Sequence, residues 1–202
     1  MLTVGLTGSI AVGKSYVCGI MRELGLPVLD ADVTAREVVA PGTPGLAAVV
    51  QAFGAEILRE DGEMDRSKVA SIVFRDAEKL RTLNSIIHPL VFKAQDAWLR
   101  EQKVSDPNGV AVVDAALMIE SGGYKRFDKL VVVWCDPDIQ LQRLMTRNGF
   151  DEETAKMRIT SQMPQDEKKR FADYLIDTSQ GFEDTRRQVV DLTTRLRETA
   201  SN

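Results

Sequence analysis

The 202-residue chain has a single histidine, His88, only two cysteines and no long apolar run. One histidine excludes a histidine-rich metal centre and makes a Ser-His-Asp triad unattractive. Cys18 and Cys135 have neither the close spacing of a zinc site nor the density of a disulfide-stapled domain, so they read as buried reduced thiols. No stretch approaches the roughly 20 apolar residues of a membrane span. The N-terminus enters a strand pattern at once, without a charged leader, apolar core and cleavage site. Positive charge is not in excess either: 26 Lys and Arg against 30 Asp and Glu give a net charge of −4. That balance argues against non-specific binding to nucleic acid or membrane, and any anionic ligand must be held by local cations. Aromatic residues make up 6% of the chain; Trp98, Trp134, Phe53, Phe74 and Phe92 read as core side chains rather than stacking platforms. With 44% apolar and 28% charged residues, the expectation is a cytoplasmic globular protein with a sizeable core.

The chemistry starts at Gly8-Ser9-Ile10-Ala11-Val12-Gly13-Lys14-Ser15, which fits the phosphate-binding loop G-x-x-x-x-G-K-[ST]. This spacing lets successive main-chain N–H groups wrap a phosphate, with Lys14 reaching the β- and γ-phosphates and the Ser15 hydroxyl on Mg²⁺. The context is the one such a loop needs. It follows the apolar run Leu2–Thr7, and Val17, Ile20, Met21 and Leu24 then repeat at helical spacing. A nucleoside triphosphate is the implied ligand.

Further apolar runs at Pro27–Asp30, Val110–Asp114, Leu130–Trp134 and Tyr174–Ile176 alternate with helix-patterned sequence. This rhythm predicts a parallel α/β sheet of five strands covered on both faces, with ligands at the carboxyl ends of the strands. Two connections are longer than simple crossovers. Residues 41–103 hold helical patterns at Gly45–Phe53, Arg66–Phe74, Glu78–Ile87 and Leu90–Arg100, and predict an inserted helical subdomain. The second runs over about 143–171, where a helix ending at Arg147-Asn148-Gly149 is followed by a polar hairpin interrupted at Pro164. It is a candidate lid on a core formed by residues 1–40 and 104–202.

Phosphoryl transfer needs cations, a metal and a group that orients or deprotonates the acceptor. Asp30 and Asp32 follow the second strand; one could accept the acceptor's proton while the other supports the metal shell or the local backbone, the alternative being that Asp32 merely caps the helix Val33–Val39. Asp114 closes an apolar strand in the Walker-B manner, or is simply a polar strand end. Arg143 and Arg147 share a helix face and could clamp the transferring phosphate, or form a solvated face. His88 precedes Pro89, which biases it toward an extended conformation at a helix junction.

Taken in order, the chain resembles the dephospho-coenzyme A kinase family over nearly its whole length. The residues that carry the resemblance are Leu6-Thr7-Gly8 with the loop, Asp30-Ala31-Asp32, Gly62-Glu63-Met64-Asp65-Arg66, Val73-Phe74, Ile87-His88-Pro89, Asp114 to Glu120, Arg143 to Arg147, Gln162, and Ala172 to Asp177. The resemblance implies a three-layer P-loop NTPase-like fold with a helical coenzyme-binding insertion and a lid. It implies ATP and Mg²⁺ as cofactors and dephospho-coenzyme A as the small-molecule partner, in a monomer or weak homo-oligomer. Carried over by position, Asp32 is the catalytic carboxylate, with Lys14 and Arg147 on the transferring phosphate and Arg143 behind them. Gly8 to Tyr16 and Thr178 bind the nucleotide, while Thr7, Asp32, His88 and Asp114 line the acceptor side. Ser15 carries the metal through its hydroxyl, aided through water by Asp30 or Asp114. The loop departs from the family pattern at Ser9, Ala11, Val12 and Tyr16, as do Ala116 and Thr178-Ser179 further on. If the position of Ala11 needs a positive φ, its side chain strains the loop by about 1 kcal/mol.

Overall fold

The computed structural model describes residues 1–74 and 76–201. Five strands, β1 (Leu2–Gly8), β2 (Val28–Asp30), β3 (Val110–Asp114), β4 (Lys129–Trp134) and β5 (Tyr174–Asp177), form one sheet in the order β2-β3-β1-β4-β5. β1 runs parallel to both β3 and β4, and β4 parallel to β5. The three inner runs form strands because they are buried on both faces, with Val4, Leu6, Val112 and Val131 inaccessible to solvent, whereas the edge strands β2 and β5 are only partly buried. Helices α1 (Lys14–Glu23) and α9 (Phe182–Ser201) cover one side of the sheet, contributing Val17, Ile20 and Met21 from the first and Val189, Leu192 and Leu196 from the second. Their spacing is the amphipathic one read in the sequence for α1. Because the strand order departs from β1 in two directions, the end of β1 is the switch point where a parallel sheet opens a crevice.

The chain divides into two compact units, Met1–Leu29 with Glu101–Asn202, and Asp30–Arg100. The second begins earlier than residue 41 because α2 (Ala31–Glu37) follows β2 without a linker. Asp30 is both the last strand residue and the N-cap, its carboxylate accepting the N–H groups of Asp32 at 2.8 Å and Val33 at 3.1 Å. This unit has a core of its own in Val39, Leu46, Val49, Ile57, Met64 and Val69. Helices α3 (Pro44–Phe53) and α4 (Arg66–Phe74) form where the sequence predicts them. Thr43 caps α3, and Pro44 occupies its first turn, where a missing N–H costs nothing.

Two expectations are corrected by the fold. The patterns Glu78–Ile87 and Leu90–Arg100 belong to one helix, α5 (Ala77–Ser105), with Pro89 inside it, so His88 stands in a helix and not at a junction. An interior proline forfeits one backbone hydrogen bond. Pro89 lies on the exposed side, while Leu83, Ile86 and Ile87 before it pack on the core and Val91 and Gln95 after it are buried, and this packing outweighs the local preference. Phe74 is not a core aromatic: it ends α4 and is 90% exposed.

In the first unit, α6 (Pro137–Asn148) is closed by Gly149 at φ 66°, the left-handed cap predicted for that glycine. Helices α7 (Glu152–Thr160) and α8 (Gln165–Lys169) form the expected polar hairpin after it. Gly8 is required by contact. A Cβ there would lie 2.5 Å from the Val133 carbonyl oxygen and 2.9 Å from Val12 Cγ2. Since that oxygen belongs to a strand paired on both sides, it cannot retreat, and Gly8→Ala is expected to cost about 1–3 kcal/mol. Urea denaturation reads this as a lower midpoint at unchanged slope; an unchanged midpoint would refute the contact.

Candidate active site

The loop between β1 and α1 turns on two left-handed residues, Ala11 at φ 62° and Gly13 at φ 88°. Ala11 is the one non-glycine residue with positive φ among those described, so the strain foreseen for it is present. Gly13 is the N-cap of α1 and offers no side chain to its first turn. No side chain caps the first turn, and the helix dipole leaves that end positive and suited to an anion.

Buried and half-buried side chains hold the loop in this shape. The Thr178 hydroxyl donates to the Val12 carbonyl at 2.8 Å. Arg143 in turn grips Thr178, donating from Nη1 to its hydroxyl and from Nη2 to its carbonyl, both at 2.8 Å. On the other side, Ile10 N–H donates to Gln162 Oε1 and Gln140 Nε2 donates to the Ile10 carbonyl, again both at 2.8 Å. Gln165 bridges Gln140 Oε1 at 2.8 Å and the Cys135 N–H at 3.0 Å.

Lys14 points its ammonium at Asp114 Oδ1 at the end of β3 and forms an ion pair with it. The second oxygen, Oδ2, accepts from the Cys18 thiol at 3.3 Å. Burial, with the nearby Asp114 charge, pushes the Cys18 thiol up to about 12. Burial likewise raises the Cys135 thiol above its ordinary range. Both cysteines are therefore buried and protonated at neutral pH. Thr7 is buried and donates to the Ala116 carbonyl at 3.1 Å. Ser15 is exposed in the first turn of α1. Tyr16 packs edge-on against Phe182, with ring centroids 4.8 Å apart, and its hydroxyl donates to the Phe182 carbonyl at 3.3 Å.

The first unit thus brings Thr7, the loop, Lys14, Asp114, Arg143 and Thr178 together. Arg143 and Thr178 act on the loop from behind, with Arg143 spending both terminal nitrogens on Thr178. Arg147 lies at the exposed end of α6 and donates from Nε to Asn148 Oδ1 at 2.8 Å. Asp32 and His88 belong to the second unit. Asp32 stands exposed in the first turn of α2, whose cap is Asp30; His88 is half-buried, its ring centroid 6.1 Å from that of Phe92.

Sequence reading missed three residues. Gln140 and Gln165 underlie the loop, and Lys168, fully buried, pairs with Glu120 at 2.8 Å and donates to the Ala116 carbonyl at 3.0 Å. A signal existed for Gln140: it lies four residues before Leu144, and both are buried on α6.

A parallel sheet whose central strand ends in a G-x-x-x-x-G-K-S loop, with the loop lysine paired to a strand-end aspartate, defines the P-loop phosphotransferase class. Within it, residues 2–184 match the family model described as dephospho-CoA kinase. The dephospho-CoA kinase of Geobacillus kaustophilus is 49% identical over 94% of each chain, and that of Listeria innocua 44% over 96% of each. Among solved structures, TT1252 from Thermus thermophilus superposes with a TM-score of 0.84 at 26% identity, covering 96% of both chains. The dephospho-CoA kinase from Campylobacter jejuni gives 0.72 at 27% identity over 98% of both. The chain belongs to the dephospho-CoA kinase family.

The strain at residue 11 can be measured directly. Ala11→Gly removes the Cβ from a left-handed position and is expected to raise stability by about 0.5–1 kcal/mol, the steric relief exceeding glycine's entropic cost. A thermal midpoint that falls in this variant would show that the loop does not hold Ala11 at positive φ.

Proposed function

We propose that the chain transfers the γ-phosphate of ATP to the 3′-hydroxyl of the ribose in dephospho-coenzyme A, the last step in making coenzyme A. The observation that carries this reading is the family match over residues 2–184, together with a loop in which Lys14, Ser15 and the turned main chain at Ala11 and Gly13 are all present. The loop amides bind the phosphates, and Lys14 delivers a fixed positive charge to the β- and γ-oxygens as charge shifts between them. Asp114 holds that ammonium in line from the end of β3. Arg147 supplies a guanidinium to the transferring phosphoryl group from the end of α6, while Arg143 acts through Thr178.

The donor set fits Mg²⁺ held chiefly by nucleotide. Among the described residues no cluster of three or more His, Cys, Asp or Glu could hold a metal by itself. Mg²⁺ typically takes one or two protein oxygens and completes its shell with phosphates and water. The exposed Ser15 hydroxyl is the direct candidate, with Asp114 or Asp30 acting through water. The ion, when bound, neutralises charge on the β- and γ-phosphates.

Asp32 orients the 3′-hydroxyl and takes its proton. This role is supported by the capping of α2, which falls to Asp30 and not to Asp32. The insertion that includes His88 receives the coenzyme. With a net charge of −4, and no described helix long and apolar enough to cross a membrane, the same reading describes a cytoplasmic monomer or weak homo-oligomer that needs neither nucleic acid nor lipid.

ADP release by purified protein, with dephospho-coenzyme A compared against AMP, CMP and shikimate, tests the reaction. Turnover is expected with dephospho-coenzyme A and Mg²⁺ and is expected to stop when EDTA removes the metal. Preference for AMP or CMP would reassign the acceptor, and no acceptor-dependent turnover would make the protein a nucleotide-binding module. Asp32→Asn separates binding from chemistry: ATP affinity is expected to remain while kcat falls by roughly 10²-fold or more. Wild-type turnover in that variant would remove Asp32 from the mechanism.

A further inference from the structure

We propose that Gln162 and Gln140 are positioning residues for phosphoryl transfer: they clamp Ile10 from both sides and so hold the phosphate loop in the shape that receives the nucleotide. The inference rests on the kinase reading above. Ile10 immediately precedes Ala11, the strained residue of the loop, and both of its main-chain polar groups are taken by side chains distant in sequence. The strain would otherwise relax through rotation of the adjoining peptide. A hydrogen bond on each side of Ile10 opposes that rotation.

The polarity of the clamp is fixed by a relay. The Cys135 N–H can only donate, so it must meet the oxygen of the Gln165 amide. The Gln165 nitrogen then faces Gln140 Oε1, and the Gln140 nitrogen is left facing the Ile10 carbonyl. Reversing any one amide would set oxygen against oxygen or nitrogen against N–H. Gln140 is 2% exposed, so breaking the relay leaves a buried polar group unpaired. Gln162 reaches the other side of Ile10 from the segment between α7 and α8. That segment is fastened in turn, the Met163 N–H donating to Glu120 Oε1 at 3.3 Å and buried Lys168 pairing with the same carboxylate at 2.8 Å. The clamp therefore has fixed ends on both sides.

A clamp on the phosphate loop should act on ATP and spare the acceptor, whereas a residue that merely stabilises the fold would affect both or neither. Gln162→Met keeps the length of the side chain and removes the acceptor oxygen. It is expected to raise KM for ATP by about fivefold, the worth of one hydrogen bond, and to lower kcat, with KM for dephospho-coenzyme A changed by less than about twofold. Ala11→Gly placed in the Gln162→Met background is expected to lower the raised KM for ATP by a larger factor than it does in the wild type, since a glycine needs less holding. Amide hydrogen exchange read at Ile10 should be slow in the wild type and faster in Gln162→Met.

An unchanged KM for ATP in Gln162→Met, an equal rise for both substrates, or an Ile10 amide that exchanges freely in the wild type would overturn the proposal. Should the variant fail to fold, the wild-type exchange rate decides alone. If the wild type does not phosphorylate dephospho-coenzyme A, the functional reading fails, while exchange at Ile10 and the binding of ATP itself still judge the clamp.

Discussion

A phosphate loop works only while its main-chain amides point inward, and in this chain that requires an alanine to stay where L-residues are disfavoured. Ala11 has no glycine's freedom, so the left-handed turn must be held by its surroundings. Thr178, backed by Arg143, fixes the carbonyl of Val12, and two glutamines fix the peptide groups of Ile10. These supports come from the end of β5, from α6 and from the segment before α8. The loop is thus held by the carboxyl edge of the sheet and by the helices beyond β4, more than by its own sequence.

The sheet makes this possible by its order. β1 is flanked by β3 and β4, which places Asp114 on one side of the loop and the start of α6 on the other. Lys14 meets the aspartate, Gln140 meets the loop from α6, and Arg143 of the same helix acts on it through Thr178. A fixed array of this kind carries little reorganisation cost when charge moves between phosphate oxygens, which is where electrostatic catalysis has its advantage.

The strands and the loop were legible because their signals are local. A doubly buried strand needs a continuous apolar run, and Val110 to Val113 or Leu130 to Val133 can be little else. The cap at Gly149 and the strain at Ala11 were likewise readable, each following from the backbone preference of one residue. What escaped depends on partners far apart in the chain. Gln162 is legible only as one of the residues that carry the family resemblance; its bond to a residue 152 positions away is marked by nothing around it in sequence. Lys168, in the run Gln165-Asp166-Glu167-Lys168-Lys169, reads as solvated charge, yet it is buried because Glu120 and the Ala116 carbonyl wait for it. Pro89 misled in the opposite sense: its local preference is strong, but packing of half-buried Leu83, Ile86 and Ile87 before it and burial of Val91 and Gln95 after it carry one helix through.

The thiol of Cys18 shares a carboxylate, that of Asp114, with the loop lysine Lys14. Peroxides and electrophiles attack sulfur as the anion, and a buried thiol whose pKa is pushed up to about 12 offers almost none of that form at neutral pH. Burial first, and then the same carboxylate that steadies the ammonium, withhold the sulfur from ionisation. Oxidative stress that silences enzymes with exposed, acidic cysteines would leave this centre untouched, with no need of a reductant to restore it.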